Sequence, residues 1–405
     1  MTTSALEILE ALASPEGKAN PYPLYGELHE LGEVVGFAPG NVMVVGYDAI
    51  STVLRDQGFR HPDLTGLTEI YPEWGRHPAL RQAADWILNL NPPEHTRIRT
   101  LISRAFTARR VAALRPAIER MTDELLDAMA DRGSDGGPVE FMHDFAYLLP
   151  VTVICELIGI PESDREYFRP IARAIATVFE FDSFDEIDAA DEATAELEAY
   201  YAGLAAKRRA EPRDDLLSAL LEVADEQDGR LSELELTRNL ILLLVAGFET
   251  TTNLLGNGLQ VLIDDPALAS GVADGTVPVE PFVEEVLRYD SPVQLATGRI
   301  AYETELAGVQ LRAGDELMPI LGAGNRDPRK FTGPDKFDPM RAEAGPLSFG
   351  GGAHFCVGAA LARLEAAVAF PRLVARFPAI RPAGEPVRRT GLVLRGFDVL
   401  PVAVG

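Results

Sequence analysis

The sequence predicts a mainly α fold with small β-sheets, on three observations. Amphipathic segments of helical period recur from Pro21 to Phe377. One of them is long. Ser232-Glu-Leu-Glu235 is a capping box ahead of an apolar run, and the helix it opens could reach Ile263 and end near Pro266. That is roughly 32 residues, or ~48 Å at 1.5 Å per residue. The β-rich runs, in contrast, are short and scattered. With 405 residues, no dividing linker and no fixed-period repeat, a single large domain over 1–405 fits the chain.

Met1 to Asn20 gives weak signals. Helical spacing then starts at Pro21 and runs to Leu31, proline being harmless at a helix start. Val34–Phe37 and Val42–Val45 read as strands joined by a hairpin turn at Ala38-Pro39-Gly40-Asn41. Tyr47–Asp56 reads as a helix. His61–Pro93 looks irregular, with scattered prolines and the aromatics Tyr71, Trp74 and Trp86; so long a loop in a domain is usually functional or mobile. The helix opened by Asn91-Pro-Pro-Glu-His95 places His95 and Arg99 four residues apart on one face. Helices are expected over 112–131, 139–159, 161–178, 191–210 and 214–224. The acidic, aromatic stretch Phe179–Ile187 interrupts them. Pro281–Tyr289 carries Glu285 and Arg288, three apart and on one face, which alone reads as a surface ion pair. Gln294–Ile300, Glu303–Met318 and Leu392–Val404 are β-rich, and a helix covers 359–377.

Composition excludes some functions. The formal charge is −25, so no global basic field exists to meet phosphates, and nucleic acid is not an expected partner. Against that excess, five arginines (Arg97, Arg99, Arg104, Arg109 and Arg110) occur with no acid between His95 and Arg110. A local positive patch suits an acidic partner or ligand group. The longest uninterrupted apolar run, Leu240–Phe248, is far short of the ~20 residues that span a bilayer. The N-terminus has neither a basic flank nor an apolar run, so no signal peptide is read there. The expectation is a cytoplasmic protein without a membrane partner. Two cysteines make no disulfide framework. Cys155 lies in an apolar segment and reads as a small buried hydrophobe.

Cys356 is different. It stands in Phe349-Gly350-Gly351-Gly352-Ala353-His354-Phe355-Cys356-Val357-Gly358, just ahead of a helix. A thiolate near a helix N-terminus is stabilised and becomes a good metal ligand. Glycines let the backbone approach a large flat ligand, and Phe349 would wall its near side. A zinc site or iron–sulfur cluster needs several ligands, whereas one thiolate can hold a haem iron. A glycine-rich turn with a passive cysteine remains the plain alternative. The centre of the long helix is also unusual. Ala246-Gly247-Phe248-Glu249-Thr250-Thr251 puts poor mid-helix residues, an acid and an alcohol into an apolar run. A close helix crossing with Glu249 facing water would account for it equally.

Taken together, four segments resemble the cytochrome P-450 family of haem-thiolate monooxygenases. They are the cysteine loop, Ala246-Gly247-x-Glu249-Thr250-Thr251, Glu285-x-x-Arg288, and Phe337-Asp-Pro-x-Arg341, in the family's order. Pro92-Pro93-Glu94-His95-Thr96-Arg97-x-Arg99 and Asp214–Leu220 match a pattern common in soluble bacterial members. The resemblance implies one domain with a long central helix over a buried haem b (iron protoporphyrin IX). Cys356 would be the iron ligand, a thiolate that favours O–O cleavage. His95, Arg99, Arg299 and His354 would hold the propionates. Glu285, Arg288 and Arg341 would form a buried structural network. Ala246 and Gly247 would leave a groove for dioxygen, Thr250 would hydrogen-bond it, and Glu249 would relay protons.

Expected substrate contacts are Ile87, Leu88, Val178, Phe179, Leu243, Ala246, Val293, Leu295, Ala296 and Leu394, mostly apolar as such pockets are. The implied activity is hydroxylation or epoxidation of a largely apolar small molecule, such as a polyketide or peptide scaffold of specialised metabolism. Oxidative coupling or rearrangement without oxygen insertion is the alternative. No flavin or nicotinamide fingerprint is visible, so NAD(P)H electrons would arrive through a ferredoxin and its ferredoxin reductase, with the arginine patch as the receiving surface. A haem sensor would not need the Glu249–Thr250 pair. A cysteine hydrolase built on Cys356 and His354 lacks an evident third group.

Overall fold

The computed structural model describes residues 4–66, 72–180, 187–226 and 231–405. Two units form, each drawn from separated stretches. The first takes Met1–Pro62, Glu119–Ala146 and Thr250–Gly405, the second Asp63–Ile118 and Tyr147–Glu249.

In the first unit, strands Val34–Ala38 and Asn41–Val44 pair antiparallel, and Gly40 turns the chain at φ +75°, where a Cβ would be penalised. The second strand pairs in parallel with Glu316–Pro319, which pairs antiparallel with Arg299–Ile300. A period of two sends alternate side chains to opposite faces. Val34, Val42 and Val44 join Ile50, Val53, Leu54 and Leu317 in one core. Val35, Met43 and Val45 join Ile8, Leu12, Tyr25 and Leu28 in another. Burial of both faces is why these strands read as continuous apolar runs. Ile8 and Leu12 belong to a helix the sequence reading lacks, Ala5–Ala13, opened by a reciprocal capping box of Ser4 and Glu7.

Several expected elements divide. The helix expected over 112–131 is two, Ala108–Ala113 and Arg115–Arg132, with Pro116 in the tolerated first turn of the second. The helix expected over 139–159 begins as a strand, Val139–Glu140, because those residues pair with Pro401 and Val402 at the far end of the chain. A π-helical turn, Met142–Ala146, follows, and only Leu148–Ile158 is α-helical. The β-rich run 303–318 is a hairpin, Thr304–Leu306 with Val309–Leu311, followed by the strand Glu316–Pro319. Of 294–300 only Arg299–Ile300 is a strand, although Leu295 bridges Ile320 and Val293 bridges Leu394. The C-terminal strands Phe397–Val399 and Pro401–Ala403 are joined by two unforeseen ones, Val387–Arg388 and Arg381–Pro382.

The second unit is helical. The stretch expected to be irregular contains the helix Pro78–Ala84, which packs on Asp188–Ala210 through a small core of Ala79, Leu80, Ile187 and Ala190. Tyr71 and residues 181–186 of the acidic, aromatic stretch lie outside the described residues.

The helix Glu233–Asp264 spans 32 residues. Its capping box is formed: Glu235 N–H donates to Ser232 Oγ at 3.1 Å, and Ser232 N–H to the Glu235 carboxylate at 2.8 Å. Among the described residues it is the one helix long and apolar enough to cross a membrane, yet 78% of its apolar window is buried in protein.

Candidate functional site

The cysteine loop is shaped by its glycines. Gly350 and Gly352 take φ of +69° and +60°. A Cβ on Gly352 would lie 2.4 Å from the Leu54 carbonyl oxygen. Glycine is required there for both conformation and close approach. The loop closes when the Cys356 N–H donates to the Phe349 carbonyl at 2.9 Å. Its ends are fastened by the helix Ala359–Arg376, and by Arg363, whose guanidinium lies 4.3 Å from the centre of the half-buried Phe349 ring. Cys356 is exposed while Cys155 is buried. Burial pushes the Cys155 thiol up to about 12, which leaves it inert at neutral pH.

Behind the loop lies a charged network, and every part of it is paired. The Glu285 carboxylate accepts from Arg288 Nε (2.8 Å) and Nη2 (2.7 Å), from Arg341 Nε (2.9 Å) and from the Asp338 N–H (2.8 Å). Arg288 spends its remaining donors on the carbonyls of Asn325, Pro334 and Lys336. The Glu285–Arg288 pair is therefore buried, not the surface pair its spacing alone suggests. The network reaches the loop through Asn325, which accepts from the Leu347 N–H at 2.7 Å, and through Ser348, which donates to the Leu287 carbonyl at 2.6 Å.

Arg299 is buried on its strand under different terms. Nη1 donates to the carbonyls of Thr297 (2.6 Å) and Gly298 (3.1 Å) and to His61 Nδ1 (3.1 Å). His61, a residue with no signal in the sequence, packs its ring 4.3 Å from that of His354. Thus Arg299 and His354 belong to one cluster. Among the described residues no carboxylate pairs with Arg299. Burial alone acts on it, lowering its guanidinium to about 10, still charged at neutral pH. A buried cation served only by neutral groups suits an anionic ligand group.

In the second unit, His95 is buried and Arg99 half-buried on the helix Glu94–Ala105. Burial first, then the Arg99 charge, lowers the His95 pKa, so His95 is neutral and offers a hydrogen bond, not a charge. Of the arginine patch, Arg97 is paired with Glu235 and Arg110 with Asp214, which leaves Arg104 and Arg109 as its exposed members without a carboxylate among the described residues.

Along the long helix, every residue from Asn239 to Leu259 is buried except Leu243, Ala246, Gly247 and Thr250. Their spacing of three, four and seven puts them on one face. One side of a buried helix is left open at the expected positions. Glu249 lies off that face and is fully buried, so it does not face water. A Cβ on Gly247 would sit 3.3 Å from Ile154 Cδ1, and this glycine also serves close packing against Leu148–Ile158.

The remaining expected contacts differ in burial. Ile87 and Leu394 are buried; Leu88, Val178, Phe179, Val293, Leu295 and Ala296 are half-buried. Phe179 packs on Trp86, with ring centres 5.4 Å apart. Val178 leans on the small core under Pro78–Ala84, and Val293, Ala296 and Leu295 on the two sheet cores.

The residues of the first unit fit a haem: an exposed thiol in a loop shaped by glycine, and a buried cation with no carboxylate partner among the described residues. Comparison with known proteins gives the family. The sequence matches Cytochrome P450 over residues 16–273 and 279–393. It is 38% identical over 416 residues to the cytochrome P450 monooxygenase PikC of Streptomyces venezuelae, covering 99% of this chain and 95% of that protein. It is 38% identical over 395 residues to the 6-deoxyerythronolide B hydroxylase of Saccharopolyspora erythraea, covering 94% and 95%. Its fold is similar to the crystal structure of P450BioI in complex with an acyl carrier protein carrying hexadec-9Z-enoic acid. There the TM-score is 0.86 and the identity 32%, covering 96% of this chain and 99% of that one. The chain belongs to the cytochrome P450 family: it is a monooxygenase, an oxidoreductase whose cofactor is haem.

Proposed function

We propose that the chain, as one haem domain working in the cytoplasm, hydroxylates or epoxidises a largely apolar small molecule of the polyketide class. One relative supports the substrate class by name, the hydroxylase of 6-deoxyerythronolide B. The observation that carries oxygen insertion is the buried Glu249 next in sequence to Thr250, which lies on the open helix face. Cys356 would hold the iron of a haem, and the haem would supply the oxygen-activating chemistry. Thr250 Oγ1 would offer a hydrogen bond beside the small Ala246 and Gly247. The Glu249 carboxyl, shielded from bulk water, would pass protons toward that hydroxyl. Arg99 and Arg299 would neutralise the propionates while His95 and His354 would hydrogen-bond them. Phe349 would wall the haem, and Glu285, Arg288 and Arg341 keep the loop in place. Leu243, Leu88, Phe179, Val293, Leu295 and Ala296 hold the substrate by apolar contact. Electrons come from NAD(P)H through an acidic ferredoxin and its reductase, and Arg104 and Arg109 receive the ferredoxin.

One spectrum tests the core of this reading. Ferrous protein with carbon monoxide should absorb at the long-wavelength position of a thiolate-ligated haem, and Cys356→Ala should abolish that band. A histidine-type band, or a thiolate band that survives in Cys356→Ala, overturns it.

A further inference from the structure

The first two turns of the long helix hold the second unit together from one face. Glu235, Arg238 and Asn239 are spaced i, i+3 and i+4, so their side chains project together. Glu235 pairs with Arg97 of the helix Glu94–Ala105. Arg238 pairs with Asp85, just past Pro78–Ala84, and its Nε lies 3.8 Å from Glu198 of the helix Asp188–Ala210. Asn239 Oδ1 accepts from the backbone N–H of Ile87 at 3.0 Å, while its Nδ2 donates to the Glu235 carbonyl and so fixes the amide's orientation. Two neighbouring residues of the helix therefore grip Asp85 and Ile87.

The other end of the same segment is held separately. Asp191 accepts from the Ala79 N–H at 2.8 Å and pairs with His77 Nδ1 at 2.7 Å. Between the two anchorages, Gln82 and Trp86 are buried, and among the described residues neither the Gln82 amide nor the Trp86 indole N–H has a partner. Buried polar groups without partners are costly, and exposure to water would satisfy them. The segment 77–87 is thus packed against an internal penalty that its two ends must offset. The two ends are unequal. Asp191 grips a helix N-terminus backed by the apolar contacts of Ala79 and Leu80. The Asp85–Arg238 pair is partly exposed and screened by salt.

We infer that Arg238 is a positioning residue: with Asn239 it forms a releasable clasp that holds Asp85–Ile87 closed, while the Asp191 end stays fixed when the clasp opens. This rests on the functional reading only in that Leu88, the residue next to the gripped Ile87, is there a substrate contact, so release of the clasp would admit small molecules to the haem. Arg238 acts through Asp85.

The test compares wild type, Arg238→Gln and Arg238→Lys as haem-loaded protein. Amide hydrogen exchange reads the segment directly. In Arg238→Gln, exchange over 85–90 should rise at least tenfold while 77–81 keeps its protection, and Arg238→Lys should fall between. Carbon monoxide rebinding after flash photolysis reads access: it should be several-fold faster in Arg238→Gln. Raising ionic strength should speed it in wild type and leave Arg238→Gln unchanged. Equal exchange at 85–90 in all three proteins overturns the clasp. So does loss of protection spread evenly over 77–90, which would mean plain destabilisation. If the proteins bind no haem, the functional reading fails, yet the exchange arm still decides the clasp.

Discussion

Two buried charged regions of the first unit are built to opposite rules. Around Glu285 the chain supplies every partner: two guanidiniums, a backbone N–H and three carbonyls close the network, and nothing is left for an outside molecule. Around Arg299, among the described residues, it supplies two carbonyls and an imidazole nitrogen and no carboxylate. The contrast separates scaffold from site. A charge the chain neutralises itself holds its own backbone, and we propose that the charge of Arg299 is kept for a ligand.

Breaking the saturated region should produce the largest effect. Glu285→Ala leaves Arg288 buried without a counter-charge and Arg341 with only Glu343, 3.7 Å away, and should cost about 3–5 kcal/mol of folding stability. Urea unfolding of the haem-free protein measures it. A loss below about 1 kcal/mol would mean the network is not scaffold.

A third buried charge sharpens the rule. Glu365, on the helix that follows the cysteine loop, is fully buried, and its Oε2 has no partner. Burial alone pushes its carboxyl well above the ordinary range, so the chain escapes an unmatched anion by keeping the proton. Below about pH 4.3 the folded and unfolded chains both hold that proton. Above it only the folded chain does, and stability falls as pH rises, by about 1.4 kcal/mol per pH unit until the folded carboxyl ionises. Glu365→Gln should remove this slope. Urea midpoints of wild type and variant should therefore diverge between pH 5 and 7, with the variant ahead at pH 7; parallel profiles would show that Glu365 is ionised in the fold. Arginine has no such escape near neutral pH, so the buried Arg299 stays charged where Glu365 does not.

Much of this was legible from local pattern. The long helix follows from Ser232, Glu235 and the apolar run, and it ends one residue past the expected Ile263. The Gly40 turn and the cysteine loop follow from glycine chemistry. The misses are of two kinds. Val139–Glu140, Arg381–Pro382 and Val387–Arg388 are strands only because of partners distant in sequence, and two residues carry no readable period. Pro78–Ala84 has seven residues, too few to stand out among prolines. The Ser4–Glu7 capping box, by contrast, is a local pattern of two residues three apart. At the site, Cys356, Glu285 and Arg288 carry spacing signals, but nothing beside His61 marks it as the neighbour of Arg299, 238 positions away. The buried Asp290, held by Arg388, Arg395 and Tyr22, is equally invisible locally.

The smallest expected effect bears most directly on the comparison. Arg299→Gln keeps a donor for the Thr297 or Gly298 carbonyl and removes the unmatched charge. If that charge is kept for an anionic ligand group, the haem-free protein should unfold within about 1 kcal/mol of wild type, because no ion pair is lost and a desolvated charge is gone. The cost should appear only with haem bound, where a charge-assisted hydrogen bond worth about 1.5–3 kcal/mol is missing. Haem transfer to an excess of apomyoglobin should then be about tenfold faster or more, since tenfold corresponds to about 1.4 kcal/mol. The two readouts must separate. Should Arg299→Gln weaken the haem-free fold as severely as Glu285→Ala and leave haem transfer unchanged, Arg299 belongs with the scaffold, and the unmatched charge marks no ligand.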